Sequence, residues 1–173
     1  MFEWNLLTIL AIISACFSLY ILCKSMFQAP QKGLERRMQE FAIQAVEVAS
    51  EEHQTNLDYS LESISAVDRI LEKFHLQHRN TAIPERELSR IVLTWGGYIG
   101  TVLKKRVGGQ WQSNSPTAGS NTYPLQYNGY EAIPVMWCLQ RIRRGSSASI
   151  VEKSNEFLKS IEPGSSSRSS VIP

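Results

Sequence analysis

Apolar and polar positions follow different periods along this chain, and each change of period marks an element. Leu6 to Cys23 is a run broken only by Thr8, Ser14, Ser18 and Tyr20, with no charge inside it. As a helix it would span roughly 27 Å, close to the hydrocarbon thickness of a bilayer. The run predicts a transmembrane helix over 1–24, and Pro30 and Gly33 then mark 25–33 as a juxtamembrane linker. From Leu34 the pattern turns amphipathic. Leu34, Met38, Phe41, Ala45 and Val48 recur at helical spacing, widened by Ala42, Val46 and Ala49, and predict a helix over 34–53.

Asp58 or Ser60 can cap a second helix whose buried face is Leu61, Ile64, Val67, Leu71 and Phe74, ending near His75. Pro84 suits the first turn of a third helix, with Glu85 and Glu87 complementing its N-terminal dipole. Leu88, Ile91, Val92, Trp95, Ile99, Val102 and Leu103 form its apolar face, and Gly108 stops it. The period then shortens. Gln110 to Gln112 predicts a strand carrying Trp111, and 122–127 with 130–133 predicts a hairpin closed by Asn128-Gly129 in a type I′ turn. Pro124 cannot donate to a ladder, which predicts an edge strand. A short helix over 135–143 stops at Gly145, and Ser149 with Glu152 opens a last helix to about Ile161. The fold expected is α+β: an N-terminal transmembrane helix, then a small helical domain over 34–161 with a short antiparallel sheet, then a Ser-rich tail over 162–173.

Charge changes the picture by giving an orientation. Only Glu3 precedes the apolar run, whereas Lys24, Lys32, Arg36 and Arg37 follow it. The positive-inside bias then places the N-terminus outside and the C-terminal domain in the cytoplasm, at an inner membrane. Ile13-Ser14-Ala15-Cys16 also has the look of a lipobox, but no basic segment precedes it. A small-residue stripe, Ala11, Ser14, Ala15 and Ser18, offers a helix–helix contact, so a protein partner or a homodimer through 6–23 and 34–53 is an alternative use of these helices. Lys plus Arg number 18 against 16 Asp plus Glu, too even a balance to call for nucleic acid. Of three cysteines, two lie in the apolar run, so a disulfide framework is excluded within the domain and a reducing compartment fits.

Leu57-Asp58-Tyr59-Ser60, then Trp95-Gly96-Gly97-Tyr98-Ile99-Gly100, then Gly108-Gly109-Gln110-Trp111 form a sequence of motifs. Together they resemble a group of small bacterial proteins that share an LDYS start, a helix carrying G-x-Y-x-G and a G-G-x-W step. The resemblance covers Leu57 to about Gly145. It implies an α+β fold and a bacterial source, and no reaction.

Candidate chemistry is sparse. Gly96 and Gly100 lie one turn apart on a helix, where glycine costs about 1 kcal/mol relative to alanine and permits close approach of another element or of a ligand. Glu72, His75 and His78 carry half of a di-metal spacing with no second half in the chain. Cys138 has no histidine near it in sequence, and no G-x-S-x-G elbow occurs. No catalytic, metal-ligating or cofactor motif emerges. Lys104, Lys105 and Arg106 end one helix and Arg141, Arg143 and Arg144 end another. If they converge, they make a cationic face for anionic lipid or a partner. The expected function is a non-enzymatic interaction domain. The alternatives are a ligand-binding or sensory domain using the Gly96/Gly100 groove, and an enzyme of unrecognised type.

Overall fold

The computed structural model describes residues 32–162. Helix α1 (32–53) presents Leu34, Met38, Ala42, Ala45 and Ala49 as a buried seam, all at most 2% exposed. Lys32 and Gly33, assigned by the sequence to the linker, are already helical. The small residues of this seam let α1 lie almost backbone to backbone on the third helix. A Cβ on Gly97 would stand 2.7 Å from Phe41 Cβ and 3.0 Å from the Met38 carbonyl oxygen.

Helix α2 (Ser63–Asn80) begins where Ser60 Oγ accepts the Ser63 N–H at 3.2 Å. It runs five residues past His75, and both histidines of its last turns are tied to other segments. His75 Nδ1 lies 2.7 Å from the Ile142 carbonyl oxygen, and His78 Nδ1 accepts the Ile83 N–H at 3.1 Å. Helix α3 (Glu85–Val107) is the axis of the domain. Its seven consecutive residues Thr94 to Gly100 are all buried, so it is covered on every side.

Strands β1 (Gln110–Trp111), β2 (Leu125–Tyr127) and β3 (Tyr130–Ala132) form an antiparallel sheet in that order. Asn128 and Gly129 both take positive φ, 48° and 84°, as a type I′ turn requires. β2 is central, not an edge. Pro124 sits one residue outside it, where only its carbonyl is needed, and that oxygen accepts the Gln112 N–H at 2.8 Å. Helix α4 (Pro134–Arg144) and a 3₁₀ turn (Gly145–Ala148) lead to α5 (Ile150–Ser160), whose N-cap Ser149 accepts the Glu152 N–H.

The architecture is therefore mostly helical with a small three-stranded sheet, and one expectation is corrected. No helix among the described residues is long and apolar enough to cross a membrane. The longest, α3, carries Glu85, Arg86, Glu87 and Arg90 at one end and Lys104, Lys105 and Arg106 at the other. The fold described is α+β without a membrane-spanning helix. The apolar run at 6–23, with Cys16, and the tail beyond Glu162 lie outside the described residues.

Candidate functional site

The two short motifs at 57–60 and 96–100 meet. Leu57 is buried, and Asp58 Oδ1 accepts the Ser60 N–H at 2.9 Å, which folds the segment into a turn; the Ser60 hydroxyl first and its N–H second hold the Asp58 carboxyl below its usual range. Tyr59 is thereby forced to a φ of 61°, a conformation a bulky side chain adopts only when its surroundings impose it. The imposing group is Tyr98. Its hydroxyl accepts the Tyr59 N–H at 2.9 Å and shares a hydrogen with Ser63 Oγ at 2.7 Å, while the two tyrosine rings stack with centroids 5.0 Å apart. Burial pushes the Tyr98 hydroxyl pKa up, so it serves as a neutral hydrogen-bonding group. Lys105 Nζ lies 3.8 Å above the Tyr59 ring, a cation–π contact.

Each glycine of the α3 motif faces a different neighbour. A Cβ on Gly96 would stand 2.7 Å from the Val135 Cα of α4, and one on Gly100 would stand 2.0 Å from Cη2 of Trp111. The groove at Gly96 and Gly100 is thus filled from within the domain.

The six basic candidates are dispersed. Lys104 Nζ pairs with Glu35 Oε1 of α1 at 2.6 Å, and Lys105 covers Tyr59. Arg141 points inward and is 4% exposed. Its Nε and Nη2 each donate to Asp68 at 3.2 Å, and its Nη1 lies 2.5 Å from Glu72 Oε2. Burial alone would lower the Arg141 pKa. The hydrogen bonds and charges of Asp68 and Glu72 outweigh it and hold the group more basic than usual. Arg143 and Arg144 are exposed, but their turn packs near His75, late in α2, whereas Lys105 sits over Tyr59, ahead of its start. Roughly 18 Å of helix separates the two ends. The single cationic face does not form.

Asp68 is the residue that sequence reasoning missed. Besides holding Arg141, its Oδ1 accepts the Ile150 N–H at 2.7 Å and so caps α5. The signal was present. Arg141 falls on the α4 face of Val135, Cys138 and Ile142, and Asp68 on the α2 face of Ile64, Val67 and Leu71.

The remaining reactive groups are also engaged in structure. Glu72 and His75 both hold α4, through Arg141 and the Ile142 carbonyl, His78 holds the loop at Ile83, and no group of three or more potential ligands is gathered for a metal among the described residues. His53 packs beside the rings of Phe74 and Trp95, with burial lowering its pKa first and Lys73 second. Cys138 is fully buried. Desolvation, then the Asp68 charge, push its thiol far above the usual range, which makes it an inert apolar filler. Ser115 Oγ donates to Glu131 Oε1 at 2.7 Å and accepts the Thr117 and Ala118 N–H groups, so it staples its loop to β3.

The clefts are open and shallow. One of about 290 Å³ between α1, α2 and α3 holds Glu52, Glu87, Arg90 and Thr94, and falls just under the usual size of small-molecule pockets. A second, of about 410 Å³, lies between Lys32, Arg36, Lys104 and Gln110. Two others adjoin each other at Leu61 and Arg106. The larger, about 520 Å³, is floored by Leu61, Val107, Tyr127, Leu158 and Ile161. This strip is the broadest apolar surface among these clefts. No family model matches this chain, and no curated protein or solved structure matches it either.

Proposed function

We propose that the domain is a non-enzymatic interaction module that docks a protein partner through the strip at Leu61, Val107, Tyr127, Leu158 and Ile161. The observation that carries this reading is the contrast between the strip and everything else. Tyr98, Asp68, Arg141, His75, His78 and Ser115 each spend their hydrogen-bonding groups on neighbouring segments. The strip instead leaves five apolar side chains half-buried at one surface, contributed by the segment before α2, the end of α3, β2 and the end of α5. Contiguous apolar ground with a polar rim is what a docking surface presents. Location at the cytoplasmic side of the inner membrane belongs to the same proposal, and its support is the charge asymmetry of the sequence.

The test is a photoreactive side chain placed at Leu158 in living cells, compared with one at Ile43 on the outer face of α1. Discrete crosslinked species from position 158 and none from 43 are expected. Equal labelling at both positions, or none at either, defeats the reading.

A further inference from the structure

We propose that the occupant of this strip is a second copy of the chain, docked face to face about a two-fold axis. This rests on the interaction reading above and names its partner. The argument comes from the rim. Lys105, Arg106 and Lys159 border the two adjoining clefts together with Glu62 and Glu162. All five are exposed, and none makes an ion pair among the described residues. A uniformly acidic partner would set its carboxylates against Glu62 and Glu162. A uniformly basic one would meet Lys105, Arg106 and Lys159. A two-fold interface uses the same patch twice, so a patch carrying both signs around an apolar centre can satisfy itself. The cations of one copy then meet the acids of the other while the apolar residues close over each other.

Of the two helices considered for self-association, 6–23 lies outside the described residues, and α1 does not compete. The apolar stripe of α1 is consumed inside the domain, where Leu34, Met38, Ala42, Ala45 and Ala49 are buried. Its outer face shows Arg36, Glu40, Glu47 and Ser50, with Ile43 as an isolated apolar residue. Rotating the seam outward would empty the contact with Gly97.

The experiment measures the mass of the purified full chain in mild detergent, by light scattering and sedimentation equilibrium over a concentration series. A dimer is expected. Leu158→Asp and Arg106→Glu should each raise its dissociation constant at least about tenfold, equivalent to 1.4 kcal/mol. Ile43→Asp should leave it unchanged. Where Leu158→Asp lowers the melting temperature, Arg106→Glu, an exposed position, decides. A chain that is monomeric throughout overturns the proposal, as does a dimer indifferent to both strip variants. Crosslinks from position 158 to a different protein, with a monomeric chain, overturn self-docking and leave the interaction reading standing. Absence of both dimer and crosslinks ends both.

Discussion

The indole of Trp111 occupies the space that any side chain on Gly100 would need, with its Cη2 only 2.0 Å from where a Cβ would be. A strand residue of the sheet thereby rests directly on the backbone of the central helix, and the tryptophan is 2% exposed. Even Gly100→Ala requires the ring to move, because the ring is rigid and enclosed. Overpacking of this kind costs about 1–3 kcal/mol. Gly100→Ala should therefore lower the melting temperature despite its better helix propensity, and Gly100→Leu should lower it further. Trp111→Leu should lessen the penalty of Gly100→Ala when the two are combined. An unchanged melt for Gly100→Leu would mean that the position faces open space.

Arg141 should separate sharply from its neighbours. Arg141→Met strands the carboxylates of Asp68 and Glu72 and weakens the cap on α5, so it should cost about 3–5 kcal/mol, the range for breaking one side of a buried ion pair. Arg143→Ala and Arg144→Ala remove exposed charges and should stay within about 0.5 kcal/mol of the parent. Urea denaturation of the three variants checks the contrast. Equal effects would place Arg141 at the surface.

Tyr98→Phe deletes one hydroxyl and leaves the Tyr59 N–H unanswered, while Ser63 Oγ keeps only its bond to the Ser60 carbonyl oxygen. A loss of about 1–3 kcal/mol follows from the desolvation of unpaired buried polar groups. Tyr59, no longer held at positive φ, should relax, and Lys105 should lose its ring. Denaturation of the variant together with the near-ultraviolet tyrosine signal reads both effects.

His53 gives the domain a pH dependence of defined sign. Its folded pKa is lowered by burial and by Lys73, so the unfolded chain binds the proton more readily. Its contribution to stability is full above the ordinary histidine value, about 6.5, and declines as pH falls from there through the lowered folded value. Melting temperatures measured from pH 7.5 down to about 5.5 should fall more steeply for the parent than for His53→Gln. Parallel slopes would remove His53 as the cause.

Much of the fold can be read from local pattern, because local chemistry decides it. The Asn128-Gly129 hairpin, the helix stops at Gly108 and Gly145, and the Ser149 cap each depend on residues within a few positions of one another. The sites depend on pairs far apart in sequence. A cation near a helix C-terminus is favoured by the dipole wherever it points, so Arg141, Arg143 and Arg144 look equivalent until α2 supplies Asp68 to one of them. Gly96 and Gly100 announce a close approach but not the visitor. Gly97, which receives α1, carries no periodic signal that would distinguish it from either. Pro124 points to an edge strand by its missing N–H, yet the ladder needs only its carbonyl there and β2 is central.

Because α3 is enclosed by α1 on one side, by α4 on another and by Trp111 on a third, the amide protons from Thr94 to Gly100 have no private route to water. Fraying of either end of the helix stops short of them, and detaching any one neighbour still leaves the others in place. They exchange with solvent only when the whole domain opens. The slow core of a hydrogen-exchange map should therefore coincide with the Gly-Gly-Tyr-Ile-Gly segment, whose glycines would make it among the most labile stretches of an isolated helix. The residues least suited to holding a helix are thus kept in one by everything packed around them.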